Sequence, residues 1–388
     1  MKKVRRMARV LALVLVFAFC AGTAAMGSEP VRIGVIAPLT GPAAIFGIAV
    51  RNGIELYTNM FNEAGGINGR MIELVIYDDR ALPTEALNAY NRLVNLDEVV
   101  AFIGPVTSGA TFGVAEASAE DNIPGITATA THPDVTIHGN NFFRACFLDP
   151  FQGYSMARFA REYLGAETAA VLFDSAMAYS TGLRNAFVAT AAEIGLTIVA
   201  DESYNTGDVD FNSQLTVIAS HSPDVLFLPD YYNTVFLLAT QARNAGITST
   251  LLGADGTDGV LDIEGIDASV FDGMFFATHY YVGDPAEIVQ TFIRNFEAAN
   301  DHKPNSFAAL GFDAAKILFE AITNVAAAGV NIEPVPAVHQ AIIDQMAATD
   351  IQGVTGRITF DDDNNAVKEL AIIRIQDGAY TFETTLRY

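Results

Sequence analysis

The chain has 388 residues, which suffices for two domains of ordinary size. Its 45 acidic residues outnumber its 22 Lys and Arg residues, so the formal net charge at pH 7 is −23. Such an acidic chain argues against nucleic acid and anionic membrane surfaces as partners, and we expect neither.

Residues 1–27 have the pattern of a secretory signal peptide. A basic start is followed by an apolar run from Val10 and then by small residues, which favours cleavage near Gly27. An N-terminal membrane anchor is the alternative, but the run is short for a spanning helix. Lipid attachment at Cys20 is not expected, because Phe19 stands where lipoprotein signals have a small residue.

Cleavage would make the exported chain more acidic. Residues 1–27 contain five cations and no acids, so 17 Lys and Arg would remain against 45 acids, a net charge of −28. Cys146 would be the only cysteine left, which excludes an intrachain disulfide. We interpret Cys146 as a small buried residue rather than a nucleophile.

The first part of the exported chain alternates apolar strands and amphipathic helices. Such alternation indicates parallel βαβ units, which are right-handed by default. The predicted elements are a strand "VRIGVIAPL", a helix from "AAIFG" to "NEAGG", a strand "MIELVIYDD", a helix "PTEALNAYNRLVNLDE", a strand "VVAFIGP", a helix "SGATFGVAEASAEDN" and a strand "IPGITATAT".

A second, similar series follows "FFRACFLDPFQ". Its predicted strands are "TAAVLFDSAM", "LTIVADESY", "DVLFLPDY" and "STLLGAD", with helices between them. Two more helices follow, and residues 356–380 are predicted to form a hairpin that turns at "DDDNNA". The same stretch resembles the start of a calcium loop, but Ala366 stands where such a loop needs glycine, so we prefer the turn.

Ligands of parallel α/β sheets bind beyond the carboxyl ends of the strands. Ser108 follows the strand "VVAFIGP" and opens a helix, whose N-terminus suits a carboxylate. An N-cap role for Ser108 is the simpler alternative. The next strand ends in Thr129 and Thr131, however, and the two strand ends together predict one wall of a ligand cleft.

The second series also places side chains at strand ends. Tyr179, Tyr231, Tyr232 and Asp255 follow three predicted strands. Each tyrosine alone could serve packing, and Asp255 could cap a turn. Together they predict a wall with aromatic faces and one anion. The cleft would then hold a carboxylate on one side and a cation on the other, which fits a free α-amino acid.

Signals for catalysis are weak. The six histidines show no metal-ligand spacing, and the chain contains no GxSxG, no Walker loop and no GxGxxG after a strand. We therefore expect no enzymatic activity, no metal and no cofactor.

The chain resembles the periplasmic leucine/isoleucine/valine-binding proteins, the type I solute-binding receptors of bacterial ABC importers. The resemblance spans residues 29–388. The stretches that carry it are "IGVIAPLTGPAAIFG", "FNEAGGINGRMIELVIYDD", "VVAFIGPVTSGAT", "IPGITATAT", "AAVLFDSAMAYSTGL", "DVLFLPDY", "LLGADG" and "GFDAAKIL".

The resemblance implies an α/β clamshell of two doubly wound parallel-sheet lobes joined by three crossing segments. The N-terminal lobe would comprise residues 29–149 and 279–353, and the C-terminal lobe residues 150–278 and 354–388. It also implies a periplasmic monomer that delivers an amino acid or related carboxylate to an ABC permease in the membrane.

The resemblance further assigns roles to site residues. Ser108 and Thr131 would hold the ligand carboxylate. The Thr129 carbonyl and the Asp255 carboxylate would hold its ammonium. Phe46 would cover the ligand, and the aromatic contacts of the second lobe would be Tyr179 and Tyr231.

Some positions depart from the family pattern. Ala81 and Thr107 replace a pair of cysteines that form a disulfide in some members. Tyrosine is common in the family at the position of Phe46. Phenylalanine lacks the tyrosine hydroxyl, so a polar contact to the ligand is missing here. Asp255 is one methylene shorter than the glutamate often found there.

Four functions remain open from the sequence. The first is a receptor for a free amino acid, branched-chain or otherwise apolar. The second is a receptor of the same fold for aromatic or aliphatic carboxylates or short amides without an ammonium group. An exported hydrolase and a signalling receptor domain are the remaining alternatives.

Overall fold

The structure, a computed structural model, describes residues 29–387 and contains two large sheets. The strands of the first sheet are β1 (Val31–Ala37), β2 (Ile72–Asp78), β3 (Ala101–Ile103), β4 (Gly125–Thr127) and β5 (Phe142–Arg144). They are all parallel and lie in the order β2-β1-β3-β4-β5. The order reverses between β1 and β3, so a ligand crevice is expected beyond their carboxyl ends.

Three helices connect these strands: α1 (Ala44–Glu63), α2 (Pro83–Asn95) and α3 (Ser108–Asp121). Helix α1 buries Phe46, Val50 and Ile54, which recur every four residues on its inner face. Helix α3 ends at Asn122, which adopts the left-handed conformation that commonly terminates helices.

The second sheet repeats this winding. Its strands are β6 (Thr168–Asp174), β7 (Thr197–Tyr204), β8 (Val225–Leu228), β9 (Thr250–Gly253), β10 (Phe275–Thr278), β13 (Leu370–Gln376) and β14 (Ala379–Leu386). Strands β6 to β10 are parallel, in the order β7-β6-β8-β9-β10, and β13 and β14 extend the sheet as antiparallel neighbours. The predicted α/β class with two doubly wound sheets is confirmed.

The remaining elements surround these sheets. The helices of the second series are α4 (Asp149–Arg158), α5 (Ala178–Ile194), α6 (Asn212–His221) and α7 (Tyr232–Asn244). Then come α8 (Glu287–Asn300), α9 (Ser306–Ala327) and α10 (Pro336–Ala347), and a small hairpin of β11 (Asp350–Gly353) and β12 (Gly356–Thr359).

The predicted C-terminal hairpin is wrong in its pairing. Strand β12 pairs with β11, and the turn at 361–366 closes only an isolated bridge between Phe360 and Ala366. The true hairpin joins β13 to β14 through Asp377 and Gly378, both of which have positive φ. Asp-Gly is a strong two-residue hairpin signal, and it outcompetes the longer acidic turn.

The strand predicted over "IPGITATAT" is too long, because β4 ends at Thr127. The Thr127 hydroxyl donates to the Pro105 carbonyl at 2.6 Å and accepts from the backbone N–H groups of Thr129 and Ala130 at 3.3 and 3.1 Å. These bonds bend the chain immediately after the strand. Thr129 and Thr131 therefore lie in an irregular segment beyond the sheet.

The chain crosses between the two sheets more than once. Segment 145–149 links β5 to α4, residue 279 follows β10, and the chain returns to the second sheet between β12 and β13. Two of the predicted lobe boundaries, 149/150 and 278/279, fall close to these crossings. The third boundary, 353/354, falls in the turn of the β11–β12 hairpin. The lobe limits remain a proposal. No helix within residues 29–387 is long and apolar enough to cross a membrane.

Candidate functional site

One small cavity between the two sheets is lined by the seven residues to which the resemblance assigns a role, whereas Tyr232, also predicted for the second wall, does not line it. The cavity is narrow: the centre of a water molecule can occupy only about 10 Å³ of it. The proposed residues that line it are Phe46, Ser108, Thr129, Thr131, Tyr179, Tyr231 and Asp255. The first four follow strands of the first sheet and the last three follow strands of the second, so the cavity has two walls.

The first wall joins the start of α3 to the segment after β4. Ser108 is the first residue of α3, and Thr107 is its N-cap without a side-chain capping bond. The Ser108 hydroxyl instead accepts a hydrogen bond from the His132 backbone N–H at 3.3 Å. The Thr129 hydroxyl donates to the Val106 carbonyl at 2.7 Å. This wall therefore presents a helix N-terminus beside the bent segment 129–131.

Asp255 dominates the second wall and is almost fully buried. The Tyr179 hydroxyl donates to its Oδ1 at 2.7 Å, and His279 Nε2 lies 3.1 Å from its Oδ2. The Asp255 backbone N–H donates to Gln152 Oε1 at 2.9 Å. Both carboxylate oxygens and the backbone of Asp255 are thus held in place.

The partners of Asp255 do not cancel its charge. Burial raises the pKa of Tyr179 well above its usual value, with the negative charge of Asp255 adding to the rise. Burial lowers the pKa of His279, although Asp255 opposes that shift. We therefore treat both partners as neutral donors, which leave a net negative charge on this wall.

Aromatic rings close the cavity. Phe46 stacks on Phe307 with ring centroids 4.0 Å apart, and it meets Tyr231 and Tyr232 edge-on at 5.4 and 4.8 Å. The Tyr232 hydroxyl also donates to the Pro42 carbonyl at 2.6 Å. Residues after β1 thus contact residues after β8, so the two halves of the molecule meet over the cavity.

Sequence reasoning missed three polar residues near the cavity: Asp149, Gln152 and His279. His279 directly follows β10, and a strand prediction for "MFFAT" would have placed it at the same sheet edge. Asp149 and Gln152 lie in the first turn of α4, after the first crossing segment. No local pattern marks them as site residues.

Cys146 is buried and unpaired, as predicted for a small core residue. Burial raises the pKa of its thiol to about 12. Within residues 29–387, no cluster of three or more His, Cys, Asp or Glu side chains could hold a metal ion.

Comparison with known sequences gives one family. The sequence profile of the periplasmic binding proteins matches residues 30–379. A leucine-, isoleucine-, valine-, threonine- and alanine-binding protein of Pseudomonas aeruginosa is 28% identical over 93% of each chain. A Leu/Ile/Val-binding protein homologue of Brucella melitensis is 36% identical over 62% of this chain and 65% of its own, less than two thirds of the relative.

Solved structures agree with this family. A leucine-binding protein from Thermotoga maritima superposes with a TM-score of 0.84 at 32% identity, covering 92% of this chain and 99% of its own. A branched-chain amino acid transporter substrate-binding protein from Streptococcus pneumoniae, in complex with isoleucine, gives 0.83 at 29%, covering 92% and 98%. The family match spans most of the chain and the fold agrees with it, so this chain belongs to the periplasmic binding protein family.

Proposed function

We propose that this chain is an extracytoplasmic receptor that captures a free amino acid between two closing lobes. The observation that carries the proposal is the polarity of the cavity. The first wall offers the N-terminus of α3 at Ser108, which suits a carboxylate. The second wall carries the charge of Asp255, which suits an ammonium group.

Each cavity residue then has a role. Ser108 and Thr131 bind the ligand carboxylate, while the Thr129 carbonyl and Asp255 bind its ammonium. The aromatic contacts come from Phe46, Tyr179 and Tyr231. Phe46 and Phe307 face the remaining space with apolar surface, so we propose a branched-chain or other apolar side chain for the ligand.

The family supports the rest of the assignment. We propose that the closed receptor docks on an ABC permease, acts as a monomer, needs no cofactor and catalyses no reaction. The proposed signal peptide, residues 1–27, lies outside the residues that the structure describes. Periplasmic localisation fits the periplasmic binding protein family, to which the amino-acid-binding relatives described above are similar.

A second candidate is a receptor for aromatic or aliphatic carboxylates or short amides. The ring-lined cavity favours it, because flat apolar ligands pack well against aromatic faces. A solute-binding protein from R. palustris in complex with benzoate shares the fold, with a TM-score of 0.82 at 24% identity. This similarity shows the fold alone.

A thermal-shift screen of residues 28–388 tests the proposal. The panel comprises the twenty amino acids, their 2-keto and desamino analogues, simple amides and small aromatic acids. Ligand at 100 times its dissociation constant should stabilise the native state by about 2.7 kcal/mol. Shifts with apolar amino acids, but not with their desamino analogues, are expected. Shifts only with molecules that lack an ammonium group would instead establish the second candidate.

Asp255→Asn then tests the role of the carboxylate by calorimetry. Loss of a buried charge partner typically costs about 2–5 kcal/mol, so amino-acid affinity should fall roughly 30-fold or more. The control is Asp258→Asn, another buried acid in the same loop that does not line the cavity. Equal affinities in the wild type and Asp255→Asn would remove Asp255 from the site.

A further inference from the structure

Asp149 is a buried acid beside the candidate cavity. It is the first residue of α4, its side chain is fully buried, and its backbone N–H donates to the Thr131 carbonyl at 3.0 Å. A Cβ atom built on Gly182 of α5 would lie 3.5 Å from both Asp149 Oδ2 and His132 Cδ2. The carboxyl group therefore lies between the carboxylate-binding segment and the first turns of α5.

The two acids of this region have opposite surroundings. Both oxygens of Asp255 meet neutral donors, which stabilise a carboxylate anion. Neither oxygen of Asp149 makes a hydrogen bond of normal geometry, and none of the ion pairs within residues 29–387 includes it. An unpaired buried carboxylate is costly, whereas a neutral carboxylic acid is much less so.

The charges around Asp149 favour the neutral form as well. Burial raises its pKa well above the usual value, Asp255 adds to the rise, and the Thr131 hydroxyl and Arg144 oppose it. Arg144 makes no ion pair with Asp149, because its guanidinium donates to the carbonyls of Ala130, His132 and Pro133. The other titratable groups that face Asp149 are His132, Cys146, Tyr179 and Tyr231.

We propose that Asp149 is a neutral carboxylic acid at the carboxylate end of the cavity, and that capture of an α-carboxylate is coupled to proton binding at this side chain. The inference rests on the proposed function. A ligand carboxylate at Ser108 and Thr131 would bring a negative charge close to Asp149. Two adjacent carboxyl groups do not both ionise easily, so the occupied site would hold the Asp149 proton more tightly.

The sign of the coupling follows from linkage. Occupancy favours protonated Asp149, so binding takes up a proton wherever the free protein has already lost it. Affinity should be constant while Asp149 stays protonated in the free protein. It should fall as pH rises further, by at most about tenfold per pH unit for a single proton.

Isothermal titration calorimetry of residues 28–388 with L-leucine tests the coupling between pH 5.5 and 8.0. The dependence of the binding enthalpy on the ionisation enthalpy of the buffer reports the number of protons taken up. We expect uptake that increases with pH towards one proton, together with an affinity that falls by up to about tenfold per pH unit where the uptake is complete. Asp149→Asn should take up no proton, and its affinity should vary less than twofold over this range.

The control variant is Asp79→Asn. Asp79 is also a buried acid with one unpaired oxygen, but it lies after β2, where its backbone N–H donates to the Ala37 carbonyl and not to Thr131, so its variant should keep the proton uptake of the wild type. L-Leucine binding by the wild type without proton exchange at every pH would overturn the coupling and leave the receptor function intact. Unchanged uptake in Asp149→Asn would assign the proton to another group. Failure of all twenty amino acids to bind would remove the proposed function, and this inference with it.

Discussion

At the residue scale, identical side chains have different functions according to their position relative to the cavity. Thr127 uses its hydroxyl to bend the chain after β4, while Thr129 and Thr131, two and four residues later, line the cavity. Of the three alternating threonines, one therefore has a structural role and two are candidate ligand-binding residues. Position relative to the cavity makes this distinction, because the Thr127 and Thr129 hydroxyls both donate to carbonyls of the same segment, those of Pro105 and Val106.

Buried aspartates outside the cavity should affect stability. Asp79 is fully buried, and burial raises its pKa to about 6 although the Ala81 backbone N–H opposes the shift. Its folded pKa thus exceeds its unfolded value. Its contribution to stability is complete below the unfolded pKa of 3.8 and is lost as pH rises through about 6.

Asp79→Asn should therefore gain stability relative to the wild type as pH rises from 4 to 7. The gain should reach about 3 kcal/mol, because each pKa unit corresponds to about 1.4 kcal/mol. Urea unfolding across this range measures it. The adjacent Asp78→Asn is the control: burial raises the pKa of Asp78, but hydrogen bonds from Thr40 and nearby backbone N–H groups lower it overall, so its contribution to stability is complete above about pH 3.8 and that variant should differ from wild type by a nearly constant amount between pH 4 and 7. A constant difference between Asp79→Asn and wild type at all pH values would contradict the prediction.

At the element scale, the close approach of α1 and α9 holds residues 279–353 against the first sheet. A Cβ atom on Gly53 would lie 2.0 Å from the Ala308 carbonyl oxygen, and one on Gly311 would lie 2.3 Å from the Val50 carbonyl oxygen. The helix backbones touch at these glycines. This contact also brings Phe307 of α9 against Phe46 of α1 at the cavity.

Gly311→Ala should destabilise the protein by about 1–3 kcal/mol, since overpacking forces the two helices apart. It should also weaken ligand binding by displacing Phe307. The matched control is Gly113→Ala in α3, where an added Cβ meets nothing within 4 Å and should stabilise by roughly 0.5–1 kcal/mol. Thermal unfolding compares the two variants. Equal stability of Gly311→Ala and wild type would show that the helices can separate at no cost.

At the scale of the whole molecule, contacts across the cavity hold the two halves together. Tyr232 of α7 donates to the Pro42 carbonyl and accepts from the Ile45 backbone N–H at 3.4 Å. These bonds join the α7 side of the second sheet to the start of α1. A clamshell that opens would break them and expose the cavity.

Tyr232→Phe should shift the protein toward an open form. Loss of a hydrogen bond costs about 0.5–1.5 kcal/mol, so apparent ligand affinity should fall roughly two- to tenfold. Calorimetry measures the affinity, and small-angle scattering of the ligand-free variant should report an equal or larger radius of gyration than wild type. Tyr163→Phe, which removes an exposed hydroxyl bonded to Glu383, is the control and should change neither quantity. A wild-type affinity in Tyr232→Phe would mean that this contact does not favour closure.

Local sequence patterns determined the α/β class, the two tandem series and the candidate residues at strand ends. The reason is that apolar runs and helical periodicity are short-range signals, and parallel strands bring their carboxyl ends to one edge. Ser108, Thr131, Tyr179 and Asp255 were found by this rule together with the family resemblance, and the structure gathers them around one cavity.

Only the tertiary structure decided the rest. The pairing of β13 with β14 rather than with β12, the stacking of Phe307 on Phe46, and the positions of Asp149 and His279 all depend on contacts between segments far apart in the chain. Burial is also a property of the whole fold. Both oxygens of the Asp255 carboxylate meet donors, whereas neither oxygen of Asp149 makes a hydrogen bond of normal geometry. This contrast arises only when the crossing segments bring separate elements together, because no local pattern specifies which partners a buried carboxyl group will meet.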